Sequence, residues 1–220
     1  MATTDWEASW KAGKIGFHSK ALNPMLEKHA SKILDGQKNC KVFVPLCGKS
    51  VDMKWFADQG HNAVGVEVVE MAITSFYEEQ GIDYTKESVP KLPGATVYKS
   101  KDGKITLYNA DIFSMTSDII GKFDCIWDRA SLVALNKTDR ERYAPTLTSL
   151  MGPNCRYLLS VLDYDPSKAK GPPHNVPNSE VATLYESSCK IEKIDTSLYH
   201  PSKFAKDVEC VQTLFLMKPK

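Results

Sequence analysis

The chain has 220 residues and a mass of 24.6 kDa, which suits one large domain and excludes a small fold that depends on disulfides or zinc. Hydrophobic residues make up 42% and charged residues 25%, which excludes wholesale disorder. With 28 basic and 27 acidic residues the formal net charge is +1, so nucleic-acid binding, which usually goes with a basic excess, is disfavoured.

The chain also lacks the sequence features of membrane and metal proteins. No apolar run approaches the roughly 20 residues of a membrane-spanning helix, and the first residues show no basic-then-apolar signal pattern. The six cysteines form no closely spaced cluster, so we expect reduced core thiols and no metal site. We therefore expect a cytoplasmic protein without nucleic-acid or membrane partners.

Residues 1–40 are polar with scattered aromatic residues, and residues 24–34 form an amphipathic stretch. Trp6 and Trp10 are four residues apart and therefore lie on one face of a helix. Two interpretations stay open. The tryptophans either pin the N-terminus permanently to the core or form part of a lid that closes over a bound ligand.

Residues 41–163 alternate apolar runs with helical patterns, which indicates βαβ units and a mostly parallel sheet. Two further apolar runs flank Asp102-Gly103, a typical hairpin turn. Strands are predicted at residues 41–45, 62–67, 95–100, 105–109, 122–128 and 156–162, and helices at residues 50–59, up to Gly81, and 138–151.

Residues 164–220 differ in pattern from the central part. Residues 163–177 are rich in Pro, Gly and Lys and predict a loop, followed by a short helix at residues 179–187. Apolar runs at residues 189–198 and 208–217 predict an antiparallel pair that ends the sheet. With no internal repeat or linker, residues 1–220 are expected to form a single domain.

The loop after the first strand, Pro-Leu-Cys-Gly-Lys-Ser at residues 45–50, lies where open parallel sheets bind ligands. Glu67 ends the next strand about 20 residues on, where an acidic side chain typically holds a ribose hydroxyl pair. This spacing favours an adenosine-like ligand. An ordinary tight turn beside a solvated glutamate is the alternative.

The glycine pattern of this loop narrows the ligand. A P-loop requires glycine at position 43, which is Phe43, and a dinucleotide site requires G-x-G-x-x-G, of which only Gly48 is present. A ligand with a ribose but no phosphate fits better, and S-adenosylmethionine is such a ligand.

Several stretches between about residues 5 and 185 resemble the thiopurine S-methyltransferase family. They include Trp6-x-x-x-Trp10, Gly16-Phe17-His18, Val44-Pro-Leu-Cys-Gly-Lys49, Val64-Gly-Val-Glu67, Phe123-Asp-x-Ile-Trp-Asp-Arg129 and Gly171-Pro-Pro173. The resemblance implies an α/β, Rossmann-like class I methyltransferase fold. Its seven-stranded, mostly parallel sheet would have an antiparallel last strand and helices on both faces. It also implies S-adenosyl-L-methionine as the cofactor, S-adenosyl-L-homocysteine as the product, and a small-molecule thiol as the acceptor.

The resemblance also implies roles for individual residues. Phe17, Arg129 and Pro173 are expected at the acceptor, with Arg129 the candidate catalytic residue because its planar guanidinium suits an anionic acceptor. His174 stands where an aromatic residue is expected after Gly-Pro-Pro. The residues expected to bind the cofactor are Trp6, Trp10, Phe17, Leu46, Gly48, Glu67, Asp111, Ile112 and Arg129.

Three of the residues named above, Asp111, Arg129 and His18, also have an interpretation without a role in binding or catalysis. Asp111 could cap the following turn, and Arg129 could form a surface ion pair with Asp128. His18 is either a base or a hydrogen-bonded structural histidine, so no general base is assigned.

The expected activity is transfer of a methyl group to the sulfur of thiopurines or of aromatic and heterocyclic thiols. Catalysis then depends mainly on orientation and desolvation, because the donor is already activated. The alternatives are a halide, thiol, selenium or tellurium methyltransferase, or a non-catalytic cofactor-binding module.

Overall fold

A computed structural model describes residues 3–199, 201, 204 and 207–220. The described part of the chain does not include residues 1 and 2, which belong to the expected N-terminal extension. Near the C-terminal end it does not include residues 200, 202, 203, 205 and 206. The helices are α1 (Thr3–Lys11), α2 (Pro24–Leu34), α3 (Asp52–Asp58), α4 (Glu70–Gln80), α5 (Ser117–Ile120), α6 (Lys137–Ser149) and α7 (Asn178–Tyr185). The strands are β1 (Lys41–Val44), β2 (Asn62–Glu67), β3 (Tyr84–Ser88), β4 (Thr96–Ser100), β5 (Ile105–Asn109), β6 (Phe123–Arg129), β7 (Met151–Tyr164), β8 (Cys189–Leu198) and β9 (Cys210–Pro219).

The described strands form one sheet in the order β3-β4-β5-β2-β1-β6-β7-β9-β8. Strands β5, β2, β1, β6 and β7 are parallel neighbours, and β9 runs antiparallel between β7 and β8. The predicted α/β fold, with its mostly parallel sheet and antiparallel last strand, is confirmed.

Within the described residues the sheet has nine strands instead of the seven that the resemblance implies, because an antiparallel pair, β3 and β4, extends the β5 edge. The hairpin of β4 and β5 was predicted from its Asp-Gly turn, and Gly103 adopts φ +72° there. Strand β3 escaped prediction because it is an edge strand. Four of its five residues are exposed, so it carries no apolar alternation.

The boundary between α6 and β7 also differs from the prediction. The helix ends at Ser149, and β7 starts at Met151 instead of residue 156 and runs to Tyr164. The Gly-Pro-Asn sequence at residues 152–154 resembles a turn but continues the strand. A Cβ on Gly152 would lie 2.9 Å from the Phe123 carbonyl oxygen, so glycine allows the two strands to approach closely here.

Helices cover both faces of the sheet. Helices α2, α3 and α4 bury Leu26, Phe56 and Phe76 against one face, and α6 and α7 bury Leu147 and Tyr185 against the other. All six cysteines are free and buried, as expected of core thiols. No helix among those described has the length and apolar character needed to cross a membrane.

The entry to α2 fixes the N-terminal part against the sheet. The Asn23 side chain accepts hydrogen bonds from the amides of Met25 and Leu26, and Pro24 occupies the first helical turn. The Asn23 amide donates to Asp52 Oδ1 (3.0 Å), and Trp127 Nε1 donates to Asp52 Oδ2 (2.8 Å). One buried carboxylate therefore connects α2, α3 and β6 beneath the site described next.

Candidate active site

A cavity of about 490 Å³ opens at the carboxyl ends of β1, β2, β6 and β7, a volume in the usual range for small-molecule sites. The N-terminal segment from Trp6 to Asn23 covers one side of it. The β1 loop and the end of β2 form the second side. The ends of β6, β7 and β9 form the third side, together with Pro172 and Pro173.

The loop after β1 is held by the backbone of β2. Leu46 and Gly48 adopt φ values of +42° and +52°, and the Cys47 amide donates to the Val66 carbonyl (3.0 Å). The Cys47 side chain packs onto Gly65, where a Cβ would lie 2.6 Å from its sulfur. Glycine in β2 is therefore required for the loop to lie flat across the strand end.

Glu67 fixes this loop through its side chain. One carboxylate oxygen, Oε2, accepts the Gly48 amide at 3.0 Å, and Oε1 accepts the Val69 amide at 2.8 Å. Burial raises the pKa of Glu67, and the backbone hydrogen bonds oppose that rise. Because a carboxylate oxygen can accept more than one hydrogen bond, Glu67 retains capacity towards the cavity that it lines.

Aromatic side chains of the N-terminal segment cover the loop. A Cβ on Gly48 would lie 3.4 Å from the Trp10 ring. Trp6 and Trp10 each make an edge-to-face contact with Phe17, at centroid distances of 5.8 and 5.9 Å. Arg129 Nη1 donates to the Phe17 carbonyl at 3.0 Å, so one segment contacts both the β1 loop and the end of β6.

Lys49 and His18 add charge and a polar atom to the covered side. Lys49 Nζ pairs with Glu79 at 2.6 Å and lies 6.0 Å from the Trp10 ring centroid. His18 Nε2 is enclosed and has no hydrogen-bond partner within the described part of the chain. Burial lowers the pKa of His18, and the nearby Lys49 lowers it further. This atom therefore gives no support to the interpretation of His18 as a hydrogen-bonded structural histidine.

Asp128 and Arg129 do not form the surface ion pair that was the structural alternative. Asp128 is fully buried and accepts hydrogen bonds from the hydroxyls of Tyr143 (2.8 Å) and Tyr157 (2.6 Å). Burial raises the pKa of Asp128. The alternation of β6 sends this carboxylate into the core and leaves Arg129 at the cavity.

Asp111 and Ile112 do not line the cavity. The exposed Asp111 carboxylate accepts the Phe113 amide at 3.0 Å, as in the capping alternative, and Ile112 is buried in the core. The segment nevertheless adjoins the site, because the Ala110 amide donates to the Glu67 carbonyl oxygen at 3.2 Å.

The third side of the cavity carries two polar residues that sequence reasoning missed. Ser160 and Gln212 line it on β7 and β9, beside the predicted Pro173. In the sequence, Ser160 interrupts the apolar run of β7, and Gln212 stands beside Thr213 in β9. The pattern alone does not show that the two strands bring them together.

Solved methyltransferase structures share this fold. The 1,6-didemethyltoxoflavin-N1-methyltransferase of Burkholderia thailandensis, with bound 1,6-didemethyltoxoflavin and S-adenosylhomocysteine, has a TM-score of 0.63 at 13% identity and covers 98% of this chain and 87% of its own. The glycopeptide N-methyltransferase MtfA complexed with (S)-adenosyl-L-methionine has a TM-score of 0.58 at 13% identity, with 89% and 93% covered. These likenesses show that the chain has the class I methyltransferase fold.

Closer relatives identify the family. The family model described as thiopurine S-methyltransferase (TPMT) matches residues 1–216. The thiopurine S-methyltransferase of Oryctolagus cuniculus is 48% identical over 198 residues, covering 89% of this chain and 81% of the relative. That of Equus caballus is 45% identical over 223 residues, covering 100% and 91%. The chain belongs to the thiopurine S-methyltransferase family, and the resemblance found in its motifs is confirmed.

Proposed function

We propose that this protein methylates the sulfur of thiopurines and of other aromatic or heterocyclic thiols, as a cytoplasmic monomer acting on small molecules. One observation carries the proposal. A single aromatic-covered cavity has the Glu67 carboxylate at one end and the Arg129 guanidinium at the other. Relatives named thiopurine S-methyltransferase at 48% and 45% identity support the choice of acceptor.

The residues at the Glu67 end fit S-adenosylmethionine. A buried carboxylate with remaining acceptor capacity suits a ribose hydroxyl pair, and the loop at Leu46 and Gly48 holds the ligand without phosphate-binding glycines. We propose that the adenine ring of the cofactor lies beside the segment at Asp111 and Ile112, which adjoins Glu67. When bound, the cofactor supplies an activated methyl group on a sulfonium sulfur.

The N-terminal aromatic residues exclude water and stabilise positive charge. Trp6, Trp10 and Phe17 present ring faces and edges to the cavity, and aromatic faces attract a sulfonium by cation–π interaction. Covering the site also removes water that would compete for the reacting groups. We propose that this segment is a lid that completes the site when the donor is bound.

Arg129 orients the acceptor and favours its anionic form. Its guanidinium donates to the Phe17 carbonyl oxygen, and Pro172 and Pro173 line the same cavity, so a flat ring can lie against the prolines with its sulfur towards the charge. A thiopurine or aromatic thiol ionises readily near neutral pH. The chain then needs only to hold the thiolate in line, and no general base is assigned.

A methyl-transfer screen with labelled donor tests the proposal. The acceptors are a thiopurine, thiophenol, hydrogen sulfide, iodide and selenite, and we expect turnover to be fastest with the two aromatic thiols. Donor binding is measured by calorimetry, with NAD and ATP as controls that should not compete. Preference for iodide or selenite, or binding of NAD in the cavity, would contradict the proposed function.

A further inference from the structure

Ser160 and Gln212 form a hydrogen-bonded pair on the wall of the cavity opposite the donor loop. Gln212 Nε2 donates to Ser160 Oγ at 2.7 Å, between neighbouring strands β7 and β9. In the register of these strands Gln212 faces Leu162, so the residue two positions earlier, Ser160, lies diagonally across on the same face. Both residues line the cavity, and Ser160 is only 4% exposed.

The pair has unused hydrogen-bonding capacity. Within the described residues, neither the Ser160 hydroxyl proton nor Gln212 Oε1 has a partner, and one Nε2–H of Gln212 is likewise unused. Partly desolvated polar atoms of this kind are costly unless a ligand or water satisfies them. The wall therefore offers one acceptor oxygen next to hydrogen-bond donors, which is the complement of a ring edge that carries both N–H and unprotonated nitrogen.

The position of the pair excludes a role towards the adenosine. In the sheet order Ser160 lies three strands from Glu67 and Gln212 four. Strands are spaced by about 4.8 Å, which places them about 14 Å and about 19 Å from the carboxylate that we assign to the ribose. Arg129, in contrast, pairs directly with Ser160 in the register of β6 and β7. The pair thus belongs to the acceptor end of the cavity.

The surroundings of the pair make it the polar part of a flat slot. Val133, Leu162, Pro172 and Pro173 supply apolar walls, and Arg129 lies at the adjacent strand end. An aromatic ring that packs against these apolar side chains would present its edge to the polar atoms of the pair. Hydrogen bonds at this edge discriminate between rings of equal size and different edge chemistry.

We propose that the Ser160–Gln212 pair selects nitrogen-heterocyclic thiols over carbocyclic aromatic thiols by hydrogen-bonding the ring nitrogens of the acceptor. This inference rests on the proposed function and assigns the two residues as specificity determinants. They act on acceptor binding and leave the donor loop untouched.

The test compares kcat/KM for a thiopurine and for thiophenol in Gln212→Leu and Ser160→Ala. We expect each substitution to lower the ratio of thiopurine to thiophenol by about tenfold, the usual effect of losing a hydrogen bond to a buried polar group. The double variant should lose little more than either single variant, because the pair acts as a unit. Affinity for S-adenosylhomocysteine, measured by calorimetry, should stay within about twofold.

Gln59→Leu serves as the matched control, since Gln59 is exposed at the end of α3, outside the cavity lining. If Gln212→Leu fails to fold, Gln212→Met keeps the length of the side chain and removes its polar atoms. An unchanged ratio, or an equal fall for both acceptors, overturns the inference and leaves the pair a structural contact between strands. Wild-type protein that methylates neither thiol would instead contradict the proposed function.

Discussion

The donor end and the acceptor end of the cavity are built in different ways. At the donor end, Glu67 accepts hydrogen bonds from the amides of Gly48 and Val69, all within the continuous segment of β1, α3 and β2 and the two residues after it. The acceptor end draws Phe17 and Arg129 together from positions 112 residues apart in the sequence, and adds residues of β7, β9 and the loop at residues 172–173.

This difference determines what each end tolerates. The donor end consists mainly of backbone amides held by one carboxylate, so its chemistry rests on Glu67. The acceptor end depends on side chains from separate elements, and each of them can be exchanged without moving the sheet. We therefore expect changes at the donor end to affect binding and folding together, and changes at the acceptor end to affect selectivity and turnover.

The largest expected effect belongs to Glu67→Ala. Loss of two charge-assisted hydrogen bonds to the ribose should weaken S-adenosylhomocysteine binding by at least about a hundredfold. The same change leaves the amides of Gly48 and Val69 without their acceptor, so the free energy of unfolding should fall by about 1–3 kcal/mol. Calorimetry and denaturant unfolding measure the two effects.

Two further variants sharpen this result. Glu67→Gln should have a milder effect and weaken donor binding about tenfold. The single carbonyl oxygen of glutamine can still accept a hydrogen bond from one of the two amides. Glu78→Ala is the control, since Glu78 is an exposed acid on neighbouring α4. Unchanged donor affinity in both Glu67 variants would show that this carboxylate only fixes the loop.

Arg129→Lys should have the next largest effect, and only at the acceptor end. Lysine keeps the charge and loses the planar guanidinium, so kcat/KM for an anionic thiol should fall about tenfold to a hundredfold. Donor affinity should change by less than about threefold. Loss of the hydrogen bond to the Phe17 carbonyl should also speed tryptic cleavage at Lys14 and Lys20.

Limited proteolysis with and without S-adenosylhomocysteine separates the lid from a fixed structural segment. Ligand should protect Lys14 and Lys20 in the wild type and in the control Arg142→Lys, whose side chain is exposed on α6. Equal cleavage rates in both states would show that the segment is permanently packed.

Equal losses of donor affinity and turnover in Arg129→Lys would assign the arginine to the cofactor.

The same contrast explains what sequence reasoning could predict. Glu67 was found because the donor end is local. A strand, a loop and the end of the next strand lie within 27 residues, and one spacing rule covers them. Ser160 and Gln212 were missed because their contact depends on the order in which β7, β9 and β8 pair.

The local sequence does not show which way the side chains near the site point. Asp128 and Arg129 could have formed a surface ion pair, and the alternation of β6 separates the two side chains instead. Asp111 is predicted to contact the cofactor, and its carboxylate caps a turn in a segment that adjoins Glu67. The edge strand β3 was not predicted because an exposed strand carries no apolar pattern to detect.

The smallest expected effect is a pH dependence that differs between His18, in the cavity lining, and His61, at the amino end of β2 outside the cavity lining. His61, just before β2, is 4% exposed, and its Nδ1 accepts the Cys40 amide at 3.1 Å. Burial lowers the pKa of His61, and Lys104 lowers it further, while burial and Lys49 lower the pKa of His18 under the lid segment. Both histidines are therefore easier to protonate in the unfolded chain than in the folded protein.

The free energy of unfolding should accordingly be highest above the unfolded-state pKa of about 6.5 and fall as the pH drops below it, by at most about 1.4 kcal/mol per pH unit for each histidine. His61→Asn keeps an acceptor for the Cys40 amide and removes the titration. Its stability should match the wild type at pH 8 and decline less steeply towards pH 5 in urea unfolding.

His18→Asn should change the pH dependence of the unfolding free energy less than His61→Asn does. Protonating His18 Nε2 breaks no hydrogen bond to any described residue, whereas protonating His61 Nδ1 breaks one. Identical slopes in His61→Asn and the wild type would mean that His61 does not titrate in this range, and a larger change in His18→Asn would place the acid-sensitive group at His18, in the cavity lining.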